Sequence, residues 1–207
     1  MSLIRPFRGL RPAAGRAGEV IAPPYDVMNT AEARAMVQGR PLSFLHVSRP
    51  EVGLPEDTDP YADAVYAKGA ENLRRLIADG VLRQDVEPCY YAYRLVMDGR
   101  AQLGVVVAAS VSAYDENRIR RHEFTRPDKE NDRVRHIDTS NAQTGPVFLV
   151  HRADAALDGV LARAAAGEPA ADVTAADGVR HTLWVIDGPA DIATITAAAD
   201  AQGVLYI

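Results

Sequence analysis

The chain of 207 residues contains a single cysteine, Cys89, which excludes an internal disulfide and any zinc site built from several cysteines. Cys89 precedes two tyrosines in an apparent strand, so we expect a buried structural thiol rather than a reactive one. The sequence also lacks a run of about 18 apolar residues, and its N-terminal segment lacks the apolar core of a signal peptide. We therefore expect a cytoplasmic protein that does not enter a membrane.

Excess positive charge is missing as well, because the formal net charge is −5. Broad binding to nucleic acid or to anionic lipid normally needs an excess of Lys and Arg, so we expect neither. The patterns GxxxxGK(S/T), GxGxxG, HExxH and GxSxG are absent, which excludes the common nucleotide-binding, zinc-protease and serine-hydrolase motifs. The basic residues are instead gathered locally, so we expect any anion that binds to be small.

The apolar pattern predicts a folded chain with both helices and strands. Asp98-Gly99 and Asp177-Gly178 lie between apolar segments and predict two β-hairpins, because type I′ turns need positive φ at their central residues. Helical periodicity after Asp59-Pro60 predicts the longest helix, which ends at Gly80 and packs one face on a sheet. We expect an α/β fold, or an α+β fold, with a mixed sheet, two β-hairpins and flanking helices.

Shorter segments complete the expected organisation. A short strand is predicted at residues 19–22. Two further strands, at 42–48 and 146–151, should be buried, and a strand at 101–113 should be central in its sheet. Thr30 is predicted to cap a helix that continues to about Gln38. We expect an N-terminal α/β lobe over residues 1–145 and the start of a second α/β lobe over 146–207.

The chemistry of the sequence is concentrated in residues 117–152. Pro127 suits the first position of a helix, on which Lys129, Arg133 and His136 fall at spacings of four and three. These three side chains should therefore project together into a cleft or solvent. The adjacent packing side of the helix would be formed by Val134, Ile137 and Asn141.

Such a face suits a phosphate-bearing ligand, since Arg offers a planar fork of donors, Lys a mobile charge and His a donor that titrates near neutrality. The carboxylates of Glu123 and Glu130 are candidates for a general base or for holding Mg²⁺ through water. The alternative is a solvated face on which the charges neutralise one another in i,i+4 pairs.

Two further places have a structural and a functional interpretation. The two prolines before Tyr25 and Asp26 hold those side chains either in a rigid turn or in a loop that faces a substrate. His46 is either a core histidine bonded to the backbone or part of a cleft mouth.

Five blocks in order resemble the domain-of-unknown-function family 1015: IRPFRGLRP, VIAPPYDVMN, LSFLHVSRPE, RHEFTRPDKENDRVRHI and QTGPVFLVHR. That family is similar in its phosphate-binding motif to proteins of the ParB/sulfiredoxin type, including free serine kinases. The resemblance implies transfer of a phosphoryl group from ATP or ADP, with Mg²⁺, to a small hydroxyl metabolite such as free L-serine. It also implies an Ala-Asp-Gly-His-His-Arg motif after a strand like VLYI, which lies beyond Ile207, so we expect this chain alone to be inactive.

If the chain serves such a kinase, Glu123 with His122 would be catalytic, and Glu123 with Glu130 would organise the metal ion. The anion contacts would be Arg121, Arg126, Lys129, Arg133 and His136, and the substrate side would include Tyr25, Asp26 and His46. The rival hypothesis is a non-catalytic module that senses a nucleotide or docks a partner. A third expectation is a homodimer formed through an exposed edge at residues 204–207.

Overall fold

The computed structural model describes residues 2–122 and 125–207 and shows a mixed α/β fold with several small sheets, as predicted. The chain forms two compact units. Unit 1 comprises residues 1–14, 84–123 and 147–207, and unit 2 comprises residues 15–83 and 124–146. The chain passes from unit 2 to unit 1 between residues 146 and 147, next to the division expected after residue 145. Residues 1–145, which were expected to form one lobe, are shared between both units.

The helices, in chain order, are α1 (Ala17–Val20), α2 (Thr30–Met36), α3 (Leu45–Ser48), α4 (Asp63–Ala78), α5 (Val111–Asp115), α6 (Pro127–Ser140), α7 (Ala155–Ala165) and α8 (Pro189–Ala201). A 3₁₀ helix at Pro50–Gly53 follows α3. The strands are β1 (Ile4–Arg5), β2 (Leu10–Pro12), β3 (Leu82–Gln84), β4 (Tyr90–Met97), β5 (Arg100–Val106), β6 (Ala108–Ala109), β7 (Ile119–Arg120), β8 (Ala171–Thr174), β9 (Arg180–Ile186) and β10 (Leu205–Tyr206). No helix of the described residues is long and apolar enough to cross a membrane.

Unit 1 contains a four-stranded antiparallel sheet in the order β5-β4-β9-β8. Both Asp-Gly hairpins are confirmed, and Asp98 and Gly99 have φ values of 50° and 74°, as a type I′ turn requires. The prediction that the strand after Gly99 is central was wrong, because β5 is an edge strand and β4 and β9 are central. The apolar residues at the end of β5 instead adjoin the core, where Val105 packs against the buried cluster.

The core of unit 1 is a single cluster of buried side chains from the sheet, α7, α8 and the short strands β1, β7 and β10. Tyr90 and Ile195 have no exposed surface, and Trp184 donates from Nε1 to the carbonyl of Gly167 at 3.0 Å. Burial of each such side chain stabilises the fold by roughly 1.5–3 kcal/mol. Asp154 caps α7, and Pro189 occupies the first turn of α8.

The segment around β10 differs from expectation in two respects. β10 pairs in parallel with β7, and Tyr206 also exchanges two hydrogen bonds with Val150, so the exposed edge expected at residues 204–207 was wrong. Residues 146–151 were predicted to form a buried strand, but Val147 is 61% exposed and Phe148 is 66% exposed. Only the Val150 bridge pairs this segment among the described residues.

Unit 2 is built mainly from helices. One face of α4 is buried, as its periodicity predicted, but it packs on α3, α6 and the 3₁₀ helix rather than on a sheet. The cap of α2 is Asn29 instead of Thr30. The Asn29 side chain accepts from the backbone amide of Glu32, and the Glu32 carboxylate accepts from the backbone amide of Asn29. This reciprocal pair is a capping box, which the sequence interpretation missed because its register was one residue late.

Two predicted strands of unit 2 are helical turns. Residues 17–20 form α1 where a strand was predicted at 19–22, and residues 45–48 form α3 where a buried strand was predicted. Phe44 still donates from its amide to the carbonyl of Val20 at 2.8 Å, so the two segments are neighbours without forming a ladder. Short apolar runs have no periodicity that separates a strand from a buried helical turn, and packing against α4 decided the outcome for α3.

Candidate anion-binding site

The helix that carries most of the candidate residues forms where the sequence predicts it. Pro127 occupies the first position of α6, and Asp128 and Glu130 lie in its first turn, near the positive end of the helix dipole. Asn141 ends the helix in the left-handed conformation with φ 50°. These local signals explain why residues 127–140 are helical, but they do not determine which face α6 buries.

His136 occupies the buried face of α6, with 3% of its surface exposed, so the prediction that it projects with Lys129 and Arg133 was wrong. Its Nε2 donates to the carbonyl of Val47 at 2.7 Å, and no partner for Nδ1 occurs within the described residues. Burial lowers the pKa of His136 and outweighs the bond to Val47, so the imidazole is neutral at pH 7.

The packing of α6 on α4 explains this orientation. Gly69 of α4 lies so close that a Cβ there would be 3.4 Å from Nε2 of His136 and 2.7 Å from Cγ of Pro50. The space left by Gly69 accommodates the imidazole. Val134, which was predicted to pack, is instead 49% exposed.

Arg133 and Tyr25, which lie far apart in the sequence, are in contact. The Arg133 guanidinium lies 4.0 Å from the centre of the Tyr25 ring, a cation–π geometry. Its Nε and Nη2 donate to one carboxylate oxygen of Asp132 at 3.1 and 2.6 Å. Tyr66 donates to the other oxygen of Asp132 at 2.8 Å, and its burial, followed by this bond, raises its pKa to about 12.

The outer part of α6 carries a second cation beside a tyrosine. Lys129 donates from Nζ to the Tyr61 hydroxyl at 3.3 Å and lies 5.9 Å from the ring centre. Arg135 donates to the Tyr61 carbonyl at 2.9 Å and pairs with Asp63. Within the described residues no carboxylate forms a salt bridge with Lys129, so its charge is available to an anion.

The other charges at the start of α6 form short-range pairs. Arg126 pairs with Asp128 at 3.0 Å, and Glu130 accepts from the Thr125 hydroxyl at 2.8 Å. Both pairs are exposed, and such surface pairs contribute little stability, typically about 0–1 kcal/mol. They are not the i,i+4 pairs of the alternative interpretation, because they join residues two and five positions apart.

The loop that carries Tyr25 is held by Arg49, which was not among the predicted site residues. Nη1 of Arg49 donates to the carbonyls of Tyr25 and Met28 at 2.9 and 3.0 Å. Nη2 donates to the Thr30 hydroxyl at 3.0 Å, and Nε pairs with Glu51 at 2.7 Å. The sequence carries no signal for this role, because the burial of Arg49 and its contacts with residues 25–30 arise only on folding.

Two predicted substrate-side residues have simpler surroundings. Asp26 is exposed on the loop next to Tyr25. His46 donates from Nε2 to the carbonyl of Arg40 at 3.2 Å, and its own carbonyl accepts from Asn72 at 2.7 Å. Burial lowers the pKa of His46, which fits the structural interpretation of a histidine bonded to the backbone.

Nearly the whole chain matches one known protein family. A family model described as a protein of unknown function, DUF1015, matches residues 4–207. The chain belongs to the DUF1015 family. No curated protein and no solved structure matches it. The family description states no activity, so the function of this DUF1015 chain has to be argued from its residues.

The remaining predicted site residues of the DUF1015 chain lie in unit 1 or outside the described residues. The Arg121 guanidinium lies 5.5 Å from the centre of the Tyr114 ring, and Nδ1 of His122 donates to the carbonyl of Ile207. Glu123, the predicted catalytic and metal-organising carboxylate, lies outside the described residues. Arg126, Lys129, Arg133 and His136 belong to unit 2.

A direct metal site is not built by the part of the DUF1015 chain that the structure describes. No group of three or more His, Cys, Asp or Glu side chains converges there. Glu130, predicted to help hold Mg²⁺, is exposed and accepts from Thr125.

Cys89 is buried, with 4% of its surface exposed, as predicted. Burial and the neighbouring Asp85 raise the pKa of its thiol, so little thiolate forms near neutrality. Cys89 is thus a structural residue of unit 1.

Proposed function

We propose that the DUF1015 chain binds a nucleotide through its phosphates along α6, as part of a phosphotransferase that acts on a small hydroxyl metabolite such as free L-serine. The observation that carries this proposal is the contact between Tyr25 and Arg133, which joins a predicted substrate-side residue to a predicted anion contact. The resemblance to ParB/sulfiredoxin-type serine kinases supports the same chemistry.

The positions of the cations favour a phosphate over a nonspecific anion. Lys129 and Arg133 lie one turn apart on α6, and each has a tyrosine ring beside its charge. Asp132 and Tyr25 restrain the Arg133 guanidinium, which is a planar donor group suited to phosphate or carboxylate oxygens. Phosphoryl transfer depends mainly on such positioning and charge stabilisation.

In this proposal Mg²⁺ arrives with the nucleotide, since the described residues do not form a metal cluster. The proposal keeps a cytoplasmic location. It also keeps a homodimer, although residues 204–207 are paired within the chain, and light scattering tests the dimer directly.

Isothermal titration with ADP and with ATP, each with Mg²⁺, tests the binding. We expect saturable binding by the wild type and roughly tenfold or more weaker binding by Arg133→Gln, since a charge-assisted contact to phosphate contributes about 1.5–3 kcal/mol. Arg74→Gln is the matched control, because Arg74 is an exposed arginine on α4 of the same unit. An absence of nucleotide binding by the wild type would refute the proposal.

A second candidate function is a non-catalytic nucleotide sensor. The burial of His136 favours it, because the bond from His136 to the Val47 carbonyl removes a group that titrates near neutrality from the exposed face of α6. ³¹P NMR of the full-length protein with ATP or ADP, Mg²⁺ and L-serine separates the two functions. Phosphoserine supports the phosphotransferase, whereas tight binding without any phosphorylated product supports the sensor.

A further inference from the structure

The loop before α2 has no strand partner, yet it places Tyr25 directly on Arg133. Residues 21–29 contain two prolines, whose nitrogens cannot donate hydrogen bonds, and they form turns rather than regular structure. A loop of this kind has few internal restraints, so another group has to hold its carbonyls.

Arg49 supplies that restraint with all three of its side-chain nitrogens. Nη1 bridges the carbonyls of Tyr25 and Met28, while Nη2 reaches the Thr30 hydroxyl. Nε is paired with Glu51, whose side chain is 6% exposed, against 17% for that of Arg49. The carbonyls of Tyr25 and Met28 are therefore both bonded to an arginine that is itself held in an ion pair with Glu51.

Gly145 also lies beside the Tyr25 ring. A Cβ at Gly145 would lie 3.8 Å from Cε1 of the Tyr25 ring, so the chain passes close to that ring. The Arg133 guanidinium lies 4.0 Å from the centre of the same ring. Movement of the Tyr25 backbone would change this contact.

We infer that Arg49 is a positioning residue, which holds the Tyr25 ring against Arg133 without touching the ligand itself. Its importance for ligand affinity rests on the proposed function. Lysine cannot replace it, because a single ammonium lacks the planar fork that serves acceptors in different directions.

NMR of the Arg133 side chain tests the inference without any ligand. A ring-current shift from Tyr25 moves the Arg133 side-chain signals upfield, and Tyr25→Leu identifies that shift by removing it. We expect Arg49→Lys to remove the shift and to weaken ADP binding roughly tenfold or more.

Arg34→Lys is the matched control, because Arg34 also donates to main-chain carbonyls of unit 2, those of Glu51, Val52 and Pro55, but not to residues 21–29. It should keep both the shift and the affinity. Thr30→Val is a milder variant that removes one acceptor of Arg49, and it should reduce the shift even if Arg49→Lys does not fold.

The outcomes separate the two proposals. An Arg133 shift that persists in Arg49→Lys, or that Arg34→Lys removes equally, would overturn the role of Arg49. A wild type that shows the Arg49-dependent shift but binds no ADP would overturn the proposed function and leave the positioning role supported.

Discussion

In unit 1 the buried apolar side chains form one cluster that includes Tyr90 and Trp184, whereas in unit 2 they form two smaller clusters around Leu73 and Leu45. The strands of unit 1 satisfy one another's backbone groups along the β5-β4-β9-β8 sheet. Unit 2 has long loops between its helices, and their carbonyls need other partners.

Arginine side chains supply many of those partners in unit 2. Arg34, Arg40 and Arg49 each donate to at least two main-chain carbonyls of the unit. The same unit holds the contact between Tyr25 and Arg133. The comparison teaches that the candidate site lies where polar contacts, rather than a large apolar core, determine the conformation of the loops.

The largest effect expected from this comparison is in the core of unit 1. Trp184→Ala should cost about 3–5 kcal/mol of unfolding free energy, because Trp184 is 3% exposed and its loss leaves a cavity. Denaturant unfolding followed by circular dichroism measures it. Phe148→Ala is the control, since Phe148 is 66% exposed and its change should be small. A loss below about 1 kcal/mol for Trp184→Ala would break the distinction between the two units.

Two glycine substitutions should change the free energy of unfolding by an intermediate amount and in opposite directions. Gly69→Ala should destabilise unit 2 by about 1–2 kcal/mol, because the new Cβ would lie 2.7 Å from Pro50 and 3.1 Å from the Val47 carbonyl.

Gly159→Ala, in α7 of unit 1, should stabilise by about 0.5–1 kcal/mol, because its Cβ would meet only Arg163 at 3.7 Å and alanine favours the helix. Amide hydrogen exchange of each unit reads out both changes. Stabilisation by both variants would show that α4 and the 3₁₀ helix are not closely packed.

Mild acid should produce the smallest effect and act mainly on unit 2. Burial lowers the pKa of His136 and of His46 below 6.5, so the unfolded chain takes up protons first and stability falls as the pH drops below about 6.5. In unit 1, burial likewise lowers the pKa of His181. Burial tends to raise the pKa of Asp85, but its bonds from Arg11 and Tyr91 prevail and lower it, so that contribution is lost only at more acidic pH.

Hydrogen exchange as a function of pH tests this order. Between about pH 6.5 and pH 4, unit 2 should lose more protection than unit 1, and His136→Gln should reduce that loss. His151→Gln is the control, because His151 is exposed. Equal acid sensitivity of the two units would contradict the expected difference.

Much of the local structure could be predicted from the sequence. The two Asp-Gly turns, the start of α6 at Pro127 and the start of α7 after Asp154 depend on backbone geometry and capping within a few residues. Such signals are read from neighbours in the chain, so no knowledge of packing was needed.

The candidate site was predicted only in part. Tyr25, Lys129 and Arg133 were identified, but the burial of His136 was not, because helical spacing shows which residues share a face without showing which face packs. The role of Arg49 was missed for a related reason, since its acceptors lie up to 24 positions away along the chain.

The sequence by itself thus determined the two Asp-Gly hairpins, the start of α6 at Pro127 and the concentration of cations in residues 117–152. Only the tertiary structure decided that α3 is a helix, that β5 is an edge strand, and that His136 turns inward while Arg133 meets Tyr25. The physical reason is that capping and turn geometry act within a few residues, whereas burial and cation–π contacts depend on segments that meet only after folding.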